Sequence, residues 1–205
     1  MPQTEQLLDR VAAGDSFAAN ELMEQHRDRL RRMVNVRMDP RLAPRLDASD
    51  VVQEILTYAA RHLPEYLHKR PISFYPWLRQ IAWNQLMDLY RHHVLVDKRT
   101  VKREVEPAVS DASVDLLAGM VVAAGTSPTG FVVRRELRER VRQAINQLPA
   151  RQREVLIMRH LEQLSIDEIA ELLGMPAGTV KSRLFRGIQN LQLQLQSSYG
   201  ESNHE

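Results

Sequence analysis

The amino-acid sequence predicts an all-α protein made of two helical domains joined by a linker. Glycine is scarce, with 8 residues among 205, and no run of alternating apolar and polar residues is bounded by turns, so strand signals are weak. Apolar residues instead recur at helical spacing on both sides of the centre of the chain. Between these stretches, residues 96–133 are rich in Pro, Gly, Ser, Thr and acids, which is typical of a linker.

These changes in composition predict the domain boundaries. We expect a first helical domain over residues 1–95, the linker over 96–133, a second helical domain over 134–198 and a tail over 199–205. Five apolar residues inside the linker predict a short amphipathic helix: Val114, Leu116, Leu117, Met120 and Val121. The simplest interpretation of that helix is a surface helix or a partly ordered tether.

Composition also excludes several classes of protein. The chain has no cysteine and a net charge of only +2, so disulfide frameworks and thiolate metal sites are excluded and nucleic-acid binding would need local charge clusters. The start, "MPQTEQLLDR", lacks the apolar core of a signal peptide. The longest apolar run, residues 116–124, is shorter than the roughly 20 residues that span a bilayer. We expect a soluble cytoplasmic protein.

No catalytic or metal-binding pattern stands out. The seven histidines include no His-x-x-x-His pair, and the chain has neither a glycine-rich phosphate loop nor a Gly-x-Ser-x-Gly nucleophile motif. We therefore expect no catalytic residue, no metal, no cofactor and no enzymatic activity.

The first informative stretch is "DASDVVQEIL", residues 47–56. One helix face carries the apolar stripe Val52, Ile55, Leu56, Ala59 and Leu63. The other face carries Asp50, Gln53, Glu54 and Thr57, with Asp47 just before the helix. Acids at a helix start favour the helix dipole in any protein. As a binding face, they would suit a basic protein surface rather than DNA, and both interpretations remain open.

The second stretch is "FYPWLRQIAWNQLMDLYRHH", residues 74–93. Its broad apolar side comprises Trp77, Leu78, Ile81, Ala82, Leu86 and Leu89. A narrow opposite stripe comprises Gln80, Asn84, Met87 and Arg91, with Tyr75 and Trp83 near the edges. Aromatic rings beside amide and guanidinium groups suit unpaired bases, whereas tryptophans at these positions also suit a core. The residues alone leave both open.

The carboxy-terminal stretch has the pattern of a helix-turn-helix. A helix ends before Pro149, and Ser165 with Glu168 forms a predicted capping box at the start of a later helix. Gly174 suits the left-handed residue that ends this helix, and Pro176 suits the first turn of the next. Two helices joined by about four residues are typical of this DNA-binding motif.

The last helix, which contains "GTVKSRLFRG" at 178–187, has two distinct faces. At about 100° per residue, Val180, Leu184, Ile188 and Leu191 fall in one arc that we expect to be buried. The opposite arc holds Thr179, Ser182, Arg183 and Arg186, with Lys181 at its margin. No Asp or Glu occurs from Gly174 to Tyr199. Arginine forks, hydroxyls and lysine suit base edges and phosphates, so we expect a recognition helix.

In this order, the stretches resemble a bacterial extracytoplasmic-function (ECF) sigma factor of the sigma-70 family. The matching segments are "DASDVVQEIL", "WLRQIAWNQLMDLYR" and "LPARQREVLIMRHLEQLSIDEIAELLGMPAGTVKSRLFRGIQNLQ". Together they span most of residues 5–195. The resemblance implies a promoter-recognition subunit that acts with core RNA polymerase and contacts promoter DNA at the −10 and −35 elements.

The resemblance also implies roles for particular residues. The residues facing the clamp helices of the largest polymerase subunit would be Asp47, Asp50, Gln53 and Glu54. The resemblance also implies a second contact with polymerase, at its flap region. Those at the −10 region would be Trp77, Trp83, Asn84, Asp88 and Arg91. Those reading the −35 element would be Thr179, Lys181, Ser182, Arg183 and Arg186.

Two segments depart from the family pattern. The loop that captures a flipped −10 base is commonly short and contains glycine, whereas "YLHKRPISF" at 66–74 is longer, basic and free of glycine. The stretch "LLAGMVVAAGTSPTGFVVRREL" at 116–137 suggests a long structured linker. We hypothesise that this linker is self-inhibitory or receives a regulator such as an anti-sigma factor.

Two alternative functions remain at this point. One is a helix-turn-helix activator or response regulator that binds operator DNA, which would place a parallel sheet with an acidic pocket in residues 1–95. The other is a helical scaffold or an anti-sigma-like protein, which would not need the acid-free helix face at 174–199.

Overall fold

The computed structural model describes residues 2–39, 41–42, 46–92, 111–125 and 131–201, and every regular element in these ranges is a helix. The predicted all-α fold is confirmed. The chain divides into two compact units, Met1–Lys102 and Arg103–Glu205. The first contains α1 (Pro2–Ala12), α2 (Ser16–Arg37), α3 (Ala48–Lys69) and α4 (Phe74–Tyr90). The second contains α5 (Asp111–Gly125), α6 (Phe131–Gln147), α7 (Ala150–His160), α8 (Ile166–Leu173) and α9 (Ala177–Glu201).

Two helices of the first unit, α2 and α3, begin at aspartate caps. Asp15 accepts hydrogen bonds from the N–H groups of Phe17 and Ala18 at 3.0 and 3.2 Å, just after the left-handed Gly14. Asp47 accepts from the N–H of Ser49 at 2.6 Å and starts α3. Each cap satisfies amides that have no partner within the helix.

The core of the first unit lies where α2, α3 and α4 pack together. Its fully buried side chains include Leu22, Leu30, Met33, Ile55 and Leu78. All five residues of the apolar stripe expected on α3 are buried. The opposite face of α3 is therefore fixed toward solvent, as its spacing predicted.

The connection between α3 and α4 is shorter than we expected. Residues 66–69 continue α3, so only residues 70–73 connect the two helices. Arg70 adopts φ +34°, a left-handed conformation that usually favours glycine. Its N–H donates to the carbonyl of Tyr66 at 2.7 Å, and the Tyr66 hydroxyl donates to the carbonyl of Ile72 at 3.0 Å. The loop is thus short without containing glycine.

In the second unit, α5 packs against α6 and α7. Its buried face comprises Ser113, Val114, Leu117, Ala118 and Val122, whereas Leu116 and Met120 are exposed. The expected grouping of Leu116 and Met120 with Val114 and Leu117 is therefore wrong. The buried residues of α5 recur at spacings of three to four residues, and this helical pattern places Leu116 and Met120 outside the contact with α6.

The helix-turn-helix geometry follows the sequence closely. The Ser165 Oγ accepts from the N–H of Glu168 at 3.1 Å, and the Glu168 carboxylate accepts from the N–H of Ser165 at 2.8 Å. The predicted capping box is confirmed. Gly174 ends α8 at φ +59°, and the carbonyl of Pro176 accepts from the N–H of Thr179 at the start of α9.

Among the helices that the structure describes, none combines the length and apolar character needed to cross a membrane.

Candidate nucleic-acid and protein interfaces

The first half of α9 presents a cationic face. Lys181, Ser182 and Arg186 are exposed, and Thr179 and Arg183 are half-buried. Val180, Leu184 and Leu191 are buried on the other side, as expected. With no carboxylate in this helix before Glu201, the face offers hydrogen-bond donors and positive charge to a polyanion.

Ile188 is the exception, because it is 40% exposed where we expected burial. Gly187 takes the inward position instead: a Cβ there would lie 3.2 Å from Cδ1 of Leu156 on α7. The buried line therefore runs through Val180, Leu184, Gly187 and Leu191. The helical wheel did not predict the inward position of Gly187 because it considered only large apolar residues. A glycine can also lie on a buried helix face, since it has no side chain and lets the neighbouring helix approach closely.

Phe185 is a candidate contact that the sequence analysis missed. Its side chain is 62% exposed, next to Arg186 in the chain. An exposed aromatic ring on a cationic helix face is unusual for a purely solvated surface, and apolar side chains in a major groove contact thymine methyl groups. The signal was present in the sequence, but Phe185 was assigned to neither face.

The acidic face of α3 is exposed at Asp47, Asp50, Gln53 and Glu54. Asp47 also caps the helix, so its role is at least partly local. Asp50, Gln53 and Glu54 line an open concavity of about 760 Å³ together with Asp88 of α4. Gln53 accepts a hydrogen bond at 2.9 Å from Arg27, which also pairs with Glu24 at 2.7 Å.

The residues that the resemblance assigns to the −10 region differ in their surroundings. Trp77 is half-buried, with its ring 4.5 Å from Tyr66 and 5.5 Å from Phe74. Trp83 is also half-buried, below the guanidinium of Arg37 at 5.5 Å. Both tryptophans therefore pack against protein groups while part of each side chain stays accessible.

The polar members of this set are exposed. Asn84, Asp88 and Arg91 are all accessible, and Arg91 forms an ion pair of 3.5 Å with Asp88. Helical spacing places Trp77 beside the stripe of Asn84, Asp88 and Arg91, rather than on the apolar side opposite that stripe where the sequence analysis grouped it. Trp83 lies about 100° away from Asn84. The structure also places Asp88 in the same concavity as the acidic face of α3.

A smaller cavity of about 280 Å³ lies beside the α3–α4 loop. Its aromatic walls are Tyr58, His62, Tyr66 and Trp77, and the rings of Tyr58 and His62 stack at 4.0 Å. Lys69 at its edge donates to Glu65 at 2.8 Å, and this hydrogen bond holds the pKa of Glu65 below its usual value. Aromatic walls of this kind can stack a nucleobase.

Within the described ranges, no three His, Asp or Glu side chains are grouped so that they could hold a metal ion. The basic segment "HHVLVDKRTVKR", which follows α4 in the sequence, lies outside the described residues from residue 93 onward.

Comparison with known proteins assigns the family. A model of sigma-70 region 2 matches residues 22–94, and a model of sigma-70 region 4 matches residues 138–191. The ECF RNA polymerase sigma-E factor of Escherichia coli (strain K12) is 30% identical over 190 residues, which cover 93% of each chain. The chain belongs to the ECF sigma factors of the sigma-70 family. The ECF RNA polymerase sigma factor SigW of Bacillus subtilis (strain 168) is 29% identical over 188 residues, 92% of this chain and 94% of SigW.

A solved structure supports the fold of this sigma factor. CnrH, solved in complex with the cytosolic domain of CnrY, matches it with a TM-score of 0.54 at 22% identity, over 95% of this chain and 98% of CnrH. Both α1 and α5 lie outside the two segments matched by the family models. The operator-binding alternative required a parallel sheet in residues 1–95, and the described part of this range contains only helices.

Proposed function

We propose that this sigma factor joins core RNA polymerase and directs it to promoters through the −10 and −35 elements. In this division of roles, the first unit binds polymerase and the −10 region and the second unit binds the −35 element. The observation that supports this proposal most strongly is the polar face of α9, which carries no carboxylate. In the same chain, α3 exposes an acidic face. One surface suits DNA and the other suits a basic protein. These partners place its activity in the cytoplasm, as an initiation factor rather than an enzyme.

The −35 element is read by the exposed face of α9. Arg183 and Arg186 are the residues able to bind guanine edges with two hydrogen bonds, and Lys181 supplies charge to phosphates. Thr179 and Ser182 donate from the same turns. Phe185 joins this set as an apolar contact, which would favour thymine at the base pair it reaches.

The −10 region is bound by α4. Asn84 and Arg91 are the exposed donors, and Asp88 orients Arg91 through their ion pair. Trp77 and Trp83 are half-buried, and bases can stack on the accessible part of their rings once the strands separate. The cavity walled by Tyr58, Tyr66 and Trp77 then accepts an unpaired base.

Core polymerase is bound by the acidic face of α3. Asp50, Gln53 and Glu54 face the clamp helices of the largest polymerase subunit, and Asp47 keeps the start of α3 in place beside them. The flap region of polymerase contacts the second unit. Carboxylates on a helix face would pair with lysine and arginine of the partner, and such pairs set orientation as well as affinity.

A regulatory protein is the remaining proposed partner. Leu116 and Met120 form an exposed apolar pair on α5, four residues apart on one helix face. CnrH was solved with the cytosolic domain of a second protein bound. An anti-sigma factor, or another regulator, that covers this face of α5 would explain why the pair is left exposed.

The proposal is tested by selection from a random promoter library. Core polymerase with the purified chain should retain fragments that share two sequence elements at a fixed separation, while core polymerase alone should retain none of them preferentially. Retention of a single element by the chain without polymerase would instead support an operator-binding activator.

A further inference from the structure

The end of α3 and its connection to α4 carry two cations, and both are paired with carboxylates of the same chain. Lys69 donates to Glu65 at 2.8 Å. The guanidinium of Arg70 reaches Glu5 at 3.3 Å and Asp9 at 3.4 Å, both on α1. A segment whose sequence is basic is therefore neutralised within the protein, and α1 supplies two of the three carboxylates.

The position of these two carboxylates is fixed by the packing of α1. Leu7 and Leu8 are almost fully buried, which determines the rotation of the helix. Glu5 and Asp9 are four residues apart, so they share one face of α1. Since α1 lies outside the segment matched by the region 2 model, that match does not include this pairing.

The ion pairs of Arg70 are not what holds the loop. The left-handed backbone of Arg70 is supported by its N–H bond to Tyr66 and by the bond from the Tyr66 hydroxyl to Ile72. The side chains of Arg70, Glu5 and Asp9 are 38%, 61% and 76% exposed. Ion pairs that are this exposed contribute little to stability and exchange readily with other partners.

The location of Arg70 suggests the competing partner. The neighbouring residues Lys69 and Pro71 line the aromatic-walled cavity, which our proposed function assigns to an unpaired base. A nucleotide whose base enters that cavity brings its phosphate close to the loop. Arginine can bind phosphate with two short parallel hydrogen bonds, whereas its contacts with Glu5 and Asp9, at 3.3 and 3.4 Å, are long for charge-assisted bonds.

We propose that Arg70 is a further DNA-backbone contact and that Glu5 and Asp9 hold its guanidinium until a promoter phosphate displaces them. This inference rests on the proposed promoter binding by the first unit. When no base enters the cavity, the carboxylates of α1 neutralise the charge of Arg70 and so weaken the attraction of the loop for DNA phosphates. When a promoter base enters the cavity, its phosphate replaces the two carboxylates as the partner of the Arg70 guanidinium.

The test uses holoenzyme assembled with full-length variants and a fluorescent promoter fragment, with affinity measured over a range of salt concentrations. Glu5→Gln combined with Asp9→Asn should bind about two- to fivefold more tightly, since the competing charges are gone. Arg70→Gly removes the charge but keeps the left-handed backbone. It should bind several-fold more weakly, with the slope of log affinity against log salt reduced by about one.

A combined variant separates this mechanism from general electrostatics. When Arg70→Gly is present, the two changes on α1 should no longer increase affinity, because their effect passes through Arg70. Asp28→Asn, which removes an exposed carboxylate of α2, is the matched control and should leave affinity unchanged.

Three results would overturn the inference: wild-type affinity for Arg70→Gly, no increase for the α1 double variant, or the same increase with and without Arg70. Each of these leaves promoter binding by the wild-type holoenzyme intact. Absence of promoter binding by the wild-type holoenzyme would instead overturn the proposed function, and this inference with it.

Discussion

At the scale of single residues, the cationic side chains of α9 have unequal surroundings. Arg186 and Lys181 are exposed, whereas Arg183 is half-buried. Partial burial leaves the Arg183 side chain fewer conformations than the exposed side chain of Arg186. A guanidinium that is oriented before binding loses less side-chain freedom when it meets a base.

The two arginines give the first prediction. Arg183→Ala or Arg186→Ala should cost about 1–3 kcal/mol of binding to promoters that contain the −35 element, because each removes a bidentate contact. The measurement is holoenzyme affinity for promoters with intact and scrambled −35 elements. Gln192→Ala, at an exposed position of α9, serves as the control. A loss of affinity for core polymerase in either arginine variant would contradict this assignment.

Residue identity predicted the polar face of α9 better than its buried face. Helical spacing predicted the burial of Val180, Leu184 and Leu191, because large apolar side chains at that spacing indicate the buried face of a helix. Ile188 and Gly187 were missed together: the contact with Leu156 depends on how closely α7 approaches α9. That distance is a tertiary property, and a single helix wheel contains no information about it.

At the scale of helices, the ends of α8, the first helix of the helix-turn-helix, are stabilised by residues that the sequence predicted. Ser165 and Glu168 satisfy two amide groups at the start of α8, and Gly174 ends the helix eight residues later with a left-handed turn. This short helix depends on its ends, since few of its residues are fully buried.

Removing the cap gives the second prediction. Ser165→Ala should destabilise α8 by about 1 kcal/mol, which corresponds to roughly fivefold faster exchange of its amide hydrogens when local opening limits exchange. Hydrogen exchange of α8 amides measures this directly. Ser165→Thr keeps an oxygen at the cap and should stay close to the wild type. Unchanged protection in Ser165→Ala would show that the helix does not need the cap.

The acidic face of α3 gives the third prediction. Asp50→Arg should weaken binding to core polymerase by about tenfold or more, because it replaces an attractive charge with a repulsive one at an interface. Binding of the chain to core polymerase without DNA measures this effect. Asp28→Arg makes the same charge change at an exposed position of α2 and should have little effect. Equal affinities for both variants would leave the acids of α3 with only their role at the helix start.

Helix boundaries were predictable where local chemistry sets them and less so elsewhere. Asp47 and Ser165 mark helix starts in the sequence and in the structure. The α3–α4 connection was predicted too long because Arg70, rather than a glycine, takes the left-handed conformation. The hydrogen bonds to and from Tyr66 support that backbone, and they exist only once α3 and the loop are folded.

At the scale of the whole molecule, the function that we propose depends on two surfaces of opposite character. A net charge of +2 conceals an acidic face in the first unit and a cationic face in the second. The helical fold and the two-unit organisation followed from periodicity and composition. The packing of α5 against α6 and α7 did not, because its buried line includes Ala118 and Val122 and their burial depends on the partner helices.

The most direct test of promoter recognition is transcription by reconstituted holoenzyme from a library of promoter sequences. With the wild-type chain, we expect transcripts to begin downstream of a shared pair of elements, and Arg186→Ala should lose the preference at the upstream element alone. Transcription no greater than that of core polymerase alone, across the whole library, would contradict the account.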